Sequence, residues 1–577
     1  MRIDLKKEPF SYRGAYLTIS HIGKYGEMLE KLYIRSVHTR ENSMEVFRLE
    51  LLDAESHIIE YEEEGFSDHV RLKSKDACVL FCFENPRRMR VKGRGCGLRL
   101  SMNSSGYDSA IRMAEDVWQI NSATCHTNFM LRPFQGVLHM DAPWNSVGCG
   151  HIIAEFLPAA DGEWEGVLEE KVINPQIPKL PELTFEQCRQ KAEQEFDGWM
   201  QKMPRTPEKF AQGRMLAGYV MWSGYVYPIG NYKREAMVMS KNWMNCVWSW
   251  DHCFNAMALS FGHEKEAWEQ FRIVFDNQDV SGVLPDYVNE ADILWNFTKT
   301  PVHGWALGWM LDRGCFSEAE LEEIYEPLCR WTNWWFCYRD YDKDGMPQCN
   351  HGNDSVSDNC TAFDVGCPLE SPVLSAFLVL QMETLERIAA VLGKEEESRQ
   401  WGRRSKEHLQ LFMEHFWTGN GIVARISGSH ESVQADSNYM YIPAVLGKRL
   451  TEPVRQWLTA GMRKEGYLLT PYGLATESPA SLFYEADSYC RGPIWAPTTL
   501  IMVDGLWQMG EKELASDIAG RFCKMVQAGH MAECFDALSG EPQRDPAYTW
   551  TASVFLILAS CYLNEPEKNG IDKPGEG

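Results

Sequence analysis

The hydrophobic period of this 577-residue chain changes once, near residue 180, and that change calls for two kinds of packing. Before it, runs such as Glu45-Val46-Phe47-Arg48-Leu49-Glu50-Leu51 and His151-Ile152-Ile153-Ala154-Glu155-Phe156-Leu157 are short, alternate in polarity and are separated by Gly, Asn, Ser and Asp turns. Alternation puts one apolar face on a strand, and regular short strands predict a β-sandwich over 1–175. Pro-bearing Asn174-Pro175-Gln176-Ile177-Pro178 reads as a linker, because proline stiffens the chain and removes donors. Beyond it the pattern is helical, with Thr184 as the expected N-cap of the first helix. Helices are expected over 317–337, 370–392, 396–416, 452–463, 493–509, 511–527 and 549–562. Leu374-Ser375-Ala376-Phe377-Leu378-Val379-Leu380 is apolar on more than one face, so its helix belongs between neighbours. Roughly a dozen helices fit within 184–565, which suits an (α/α)6 barrel, although periodicity alone also allows another large helical array. The expected fold is multidomain, an N-terminal β-sandwich followed by an (α/α)6 barrel: sandwich 1–175, linker and first helix 176–200, barrel 201–565, C-terminal tail 566–577.

Charge narrows the partners. Asp plus Glu number 81 against 57 Lys plus Arg, a net charge of -24. Phosphate backbones and anionic membrane surfaces would be repelled, so neither nucleic acid nor membrane is expected as a partner. Met1-Arg2-Ile3-Asp4-Leu5-Lys6-Lys7-Glu8 has no apolar signal region, and no apolar run of about 18 residues occurs. The 18 Cys sit in apolar stretches such as Val79-Leu80-Phe81-Cys82-Phe83 and read as reduced thiols, so the cytoplasm is the expected compartment. The 21 Trp, several beside Asp, His and Arg, suit a neutral small-molecule or oligosaccharide ligand, since sugars offer C–H faces for stacking and hydroxyls for polar groups.

Four segments mix ionisable groups with rings. Trp243-Met244-Asn245-Cys246-Val247-Trp248-Ser249-Trp250-Asp251-His252 places an acid between indoles, where Asp251 either binds hydroxyls or caps a helix. His351-Gly352-Asn353-Asp354-Ser355-Val356-Ser357-Asp358-Asn359 carries two carboxyls four apart, able to cap the chain or to supply an acid and a substrate contact. Tyr489-Cys490-Arg491-Gly492-Pro493-Ile494-Trp495 sets Arg491 ahead of an expected helix start at Pro493. His530-Met531-Ala532-Glu533-Cys534-Phe535-Asp536 holds Glu533 in apolar company, where a carboxyl is paired or reactive. The turn Asp340-Tyr341-Asp342-Lys343-Asp344-Gly345 imitates the start of a calcium loop, but His351 stands where the twelfth-position Glu belongs; it reads as a solvated turn, and no metal is expected. Gly93-Arg94-Gly95-Cys96-Gly97-Leu98 lacks the last glycine of a dinucleotide fingerprint, and His263-Glu264-Lys265-Glu266-Ala267 lacks the second His of a zinc protease. No Gly-x-Ser-x-Gly elbow, phosphate loop or zinc-like Cys pairing is present, and no cofactor is expected.

Together these segments resemble glycoside hydrolase family 63 and its relatives, which include bacterial α-glucosidases and mannosylglycerate hydrolases. Trp248-Ser249-Trp250-Asp251 is similar to that group's Trp-x-Trp-Asp. Ser355-Val356-Ser357-Asp358-Asn359 is similar to Ser-Gly-(Trp/Met)-Asp-Asn, and Tyr489–Trp495 to Tyr-Trp-Arg-Gly-Pro-Ile-Trp. Glu533-Cys534-Phe535-Asp536-Ala537-Leu538-Ser539-Gly540 and Tyr548-Thr549-Trp550-Thr551-Ala552 look like Glu-Asn-Tyr-(Asn/Asp)-Pro-x-Thr-Gly and Phe-Ser-Trp-(Thr/Ser)-Ala. The resemblance spans about 215–562. It implies a six-hairpin glycosidase, an inverting hydrolase of an α-linked glucosyl or mannosyl substrate, with Asp358 as general acid and Glu533 as general base. It further implies that Asp251 holds hydroxyls of the −1 sugar, with Trp248, Trp250, Arg491, Trp495, His303 and Trp305 in the same pocket. Asp354 is expected there as a neighbouring charge, or as the acid itself. Val356-Ser357 and Cys490 depart from the pattern and bear on substrate identity. Two other readings stay open: an epimerase using a pair among His252, His303 and His351, and a sugar-binding protein without catalysis.

Overall fold

The computed structural model describes residues 1–38, 44–173 and 176–563. The expected tail at 566–577, and Asn174-Pro175 of the expected linker, lie outside the described residues.

Among the described residues up to Glu170, every regular element but a 3-10 turn at Lys24–Gly26 is a β-strand. Two antiparallel sheets account for these strands: one of nine strands, from Arg2–Ile3 at one edge to Ser109–Ala114 at the other, and one of seven that includes Glu45–Leu52, Gly97–Asn103 and His151–Leu157. Alternation sets the buried faces. Leu49 and Leu51 pair with Leu100 and Leu98, and all four are buried. The segment that fails as a dinucleotide fingerprint is the crossing between the two sheets: Arg88–Arg94 belongs to the first, Gly97–Asn103 to the second, and Gly95 between them has a φ of 71° that only glycine adopts freely. Gly93 is fixed by a close approach, since a Cβ there would meet the Trp164 ring at 2.2 Å.

The remainder is helical. Twelve α-helices occur among the described residues: α1 Phe185–Lys202, α2 Ala211–Ser223, α3 Asp251–Leu259, α4 Glu264–Arg272, α5 His303–Leu311, α6 Glu318–Tyr338, α7 Pro372–Val391, α8 Glu395–Phe416, α9 Glu452–Arg463, α10 Ala496–Met509, α11 Lys512–Ala528 and α12 Thr549–Cys561. Thr184 caps α1 as expected, in a reciprocal capping box: its Oγ1 accepts from the Gln187 N–H at 3.2 Å while Gln187 Oε1 accepts from its own N–H at 2.9 Å. Apolar helices alternate with amphipathic ones. In α3, α5, α7, α10 and α12 buried residues occupy nearly every position, whereas α4, α8, α9 and α11 bury one stripe. Packing follows the same division: α3 lies on α5, α5 on α7, α7 on a 3-10 helix over Ile442–Arg449, that helix on α10, α10 on α12, and α12 back on α3.

One expectation needs correction. The helix expected over 493–509 begins at Ala496, because Ile494–Trp495 is a short strand paired with Cys534–Phe535. The β region and the helices share one apolar core. Polar ties join them as well: buried Lys241 donates to Ala15 O at 2.5 Å and Ser11 Oγ at 3.0 Å. Most of the 18 Cys are buried. No helix among the described residues is long and apolar enough to cross a membrane.

Candidate active site

The segments leading into α3, α5, α7, α10 and α12 converge on one cavity of about 460 Å3. Its walls are aromatic, with Trp248, Trp250, Trp495, Trp550, Tyr489 and Tyr548 among the lining residues. Edge-on packing of Trp550 against both Trp250 and Trp495 fixes the rings, with centroids 5.8 and 5.4 Å apart. Short strand pairs set the register: Trp248 lies opposite Tyr287, and Trp495 opposite Cys534, which places Glu533 one residue from Trp495.

The polar lining is a carboxyl cluster around one ammonium. Asp251, Asp286, Asp358 and Lys299 all face the cavity. Lys299 Nζ lies 3.4 Å from Asp286 Oδ1 and 3.5 Å from Asp358 Oδ1, and it donates to Asn353 O at 3.0 Å and Asn353 Oδ1 at 2.6 Å. The carboxylates hold its pKa above the usual lysine value although burial opposes this. Burial pushes Asp251 and Asp286 upward, with Lys299 acting against it in each. Asp251 opens α3, is 2 % exposed, and its Oδ2 has no hydrogen-bond partner, so that atom is available to a ligand hydroxyl. Asp358 is the more accessible acid, its side chain 32 % exposed.

Glu533, the expected base, is buried and is not among the residues that line the cavity; it adjoins the wall through Trp550. Its N–H donates to Asp545 O at 2.7 Å and its carbonyl accepts from Trp550 Nε1 at 3.3 Å. Burial, reinforced by the charges of Asp545 and Asp251, raises its carboxyl to about 8. Asp358 and Glu533 both act electrostatically on the hydroxyl of Tyr489, which lines the cavity and which burial drives well above its ordinary value.

Four further expected pocket residues, besides Glu533, lie off the lining. Asp354 is 1 % exposed and fully engaged: it accepts from Thr298 N at 3.1 Å, Asn350 N at 2.9 Å and Arg339 Nη1 at 2.7 Å. It braces the loop and does not line the cavity. Arg491 pairs with Asp364 and donates through Nε to Asn359 O at 2.9 Å, so it holds the residue after Asp358 from behind. His303 is held by Ser249 O at 2.9 Å, and Trp305 donates to Asp504 at 3.1 Å. Both are helix-packing residues. Among the three candidate epimerase histidines only His351 lines the cavity; His252 and His303 are buried against backbone carbonyls and depressed to about 4.

Sequence reasoning missed Lys299, Asp286 and Tyr548. A signal existed for Lys299, a lone cation in Phe297-Thr298-Lys299-Thr300-Pro301 just ahead of an apolar helix. Val356 and Cys490, the two departures from the family pattern, both line the cavity.

Residues 244–551 match the family model of the mannosylglycerate hydrolase MGH1-like glycoside hydrolase domain. The curated mannosylglycerate hydrolase of Thermus thermophilus is 20% identical over 394 residues, covering 54% of this chain and 93% of that protein. A mannosylglycerate hydrolase of Selaginella moellendorffii is 29% identical over 85 residues, 15% of this chain and 17% of its own. Among solved structures, the family 63 mannosylglycerate hydrolase of Thermus thermophilus in complex with glucose superposes with a TM-score of 0.51 at 18% identity, over 59% of this chain and 98% of that one. A bacterial glucoamylase complexed with acarbose superposes with a TM-score of 0.63 at 12% identity, over 96% of this chain and 95% of that one. These likenesses carry the fold, and the family match, which spans more than half of the chain, carries the class: the protein belongs to the family 63-like, MGH1-like glycoside hydrolases and is an O-glycosyl hydrolase.

Proposed function

We propose that this protein is an inverting α-glycosidase that removes a glucosyl or mannosyl unit from a small glycoside or oligosaccharide. One arrangement supports the reading: Asp358, before α7, lines the cavity, and Glu533, from a distant segment before α12, adjoins its wall, its carbonyl accepting from Trp550 and its neighbour Cys534 pairing with Trp495. Asp358 is the general acid and protonates the departing oxygen. Glu533 is the general base and takes a proton from the water that attacks the opposite face of the sugar. Inversion needs the two carboxyls about 6.5–9.5 Å apart, enough for that water. Asp251 accepts hydroxyls of the −1 sugar, and Trp248, Trp250 and Trp495 stack on its C–H faces. No step needs a cofactor. The relatives' names make mannosylglycerate one substrate to test beside α-glucosides and α-mannosides.

We also propose that 201–565 is the catalytic unit and that its helices close as an (α/α)6 barrel. The cyclic packing of α3, α5, α7, the 3-10 helix Ile442–Arg449, α10 and α12 supports an inner ring of six. The all-β region over 1–175 is then a sandwich that buttresses one side.

The test is hydrolysis of aryl and disaccharide α-glycosides, with the first-formed anomer followed by NMR. Asp358→Asn and Glu533→Gln should each lower kcat by about 10²–10⁴-fold, and the product should appear first as the β-anomer. Retention of configuration, or two variants as active as the wild type, would overturn the assignment.

A further inference from the structure

We propose that Asp342, Asp344, Glu370 and His430 form a binding site for one divalent transition-metal ion, of the Mn2+ or Zn2+ class, outside the catalytic cavity. One ligand atom from each of these residues lies within 4.8 Å of the others. From His430 Nε2 the distances are 3.0 Å to Asp342 Oδ2, 3.5 Å to Asp344 Oδ2 and 3.7 Å to Glu370 Oε1. Ligands bound at about 2.1 Å around a tetrahedral ion stand about 3.4 Å apart, so the side chains need little movement to enclose one.

Glu370 supplies the second, independent argument. It is completely buried, yet its Oε1 has no hydrogen-bond partner. A buried, unsatisfied carboxylate oxygen costs free energy unless a cation or donor reaches it. The other oxygen, Oε2, lies 2.6 Å from His415 Nε2, which orients the carboxylate as outer-shell partners of metal ligands do. The imidazole in the set disfavours calcium, which takes six to eight oxygens.

The local pattern hid this site. Judged along the chain, the turn beginning at Asp340 lacks its closing acid; in space, Glu370 and His430 arrive from two other segments. Glu370 is the register partner of Gln348 in the small sheet that carries the chain toward Asp358. The ion would therefore clamp the turn at 342–344 to that sheet without touching substrate.

The full-length protein, dialysed against a chelator, is titrated with MnCl2, ZnCl2, CaCl2 and MgCl2 by calorimetry and by thermal unfolding. One equivalent of Mn2+ or Zn2+ should bind and raise Tm, with Ca2+ and Mg2+ much weaker. His415→Ala, which removes only an outer-shell partner, should weaken binding roughly 10–100-fold. His430→Ala, whose side chain is partly exposed, should fold and lose the site altogether. Absence of stoichiometric Mn2+ and Zn2+ binding to the wild type, stronger Ca2+ binding, or binding unchanged in His430→Ala would each overturn the proposal. None of these readouts depends on the hydrolytic assignment.

Discussion

Lys299 Nζ and Asp358 Oδ1 stand 3.5 Å apart inside the cavity, and the same ammonium reaches Asp286 at 3.4 Å. One cation thus lies against several carboxyls and positions the proposed acid. Lys299→Met should keep the side chain's volume and remove the charge. Removing one preorganised donor from such a site costs about 10²–10³-fold in rate, and a loss of that order in kcat/KM is expected here. Lys299→Arg should recover part of it. Steady-state kinetics on the best α-glycoside provide the check, and a fully active Lys299→Met enzyme would remove Lys299 from the machinery.

As the proposed base, Glu533 should set the acidic limb of activity. Its carboxyl, raised to about 8 by burial and by Asp545, must be ionised to act as a base. With Asp358 keeping its proton over the same range, the rate should rise with pH toward 8, about tenfold per unit on the acidic side. Asp545→Asn removes the neighbouring charge and should move that limb to lower pH. Profiles of kcat/KM from pH 5 to 10 for the wild type and the variant test this directly. An acidic limb that stays in place in Asp545→Asn would contradict it.

Much of this was legible because local pattern and tertiary role coincide. Alternation at 45–51 and 151–157 sufficed for strands, and Thr184 announced α1. The site was legible where motif residues face the cavity, as Asp251, Asp358 and the tryptophans do. It was not legible where a motif residue serves the scaffold. Arg491 and Asp354 belong to the same motifs as lining residues, and only three-dimensional neighbours reveal that Asp364 and Arg339 engage them. The start of α10 was misplaced for a similar reason: the pairing of Ile494–Trp495 with Cys534–Phe535 is long-range, whereas the Gly492-Pro493 signal is local.

Three buried histidines make the fold acid-labile. Burial holds His252 and His303 at about 4 and His408 at about 3, all below the unfolded value near 6.5. Each is neutral in the folded chain, while the unfolded chain binds a proton below pH 6.5. Their contribution is therefore complete above pH 6.5 and is lost as pH falls toward 4. Gaps of about 2.5 pH units for His252 and His303 and about 3.5 for His408 are worth about 3–5 kcal/mol for each group. Apparent Tm should accordingly drop steeply between pH 6.5 and 5. A Tm that is flat over that interval would show these imidazoles to be solvated rather than buried.

Asp354 separates scaffold from chemistry. Its carboxylate meets the Arg339 guanidinium and two backbone N–H groups while 1 % exposed, so its removal strands a half-buried cation and two donors. Breaking a buried pair from one side costs about 3–5 kcal/mol, and Asp354→Ala should lower Tm accordingly. Because one of those donors is Thr298 N, adjacent to Lys299, some activity should be lost with it. Asp354→Asn discriminates the roles. If Asp354 braces the loop, this variant loses stability yet keeps the shape of its pH–rate profile. If Asp354 were the proton donor, activity would vanish while Tm stayed put. Thermal unfolding and a pH profile on the same preparation decide between them.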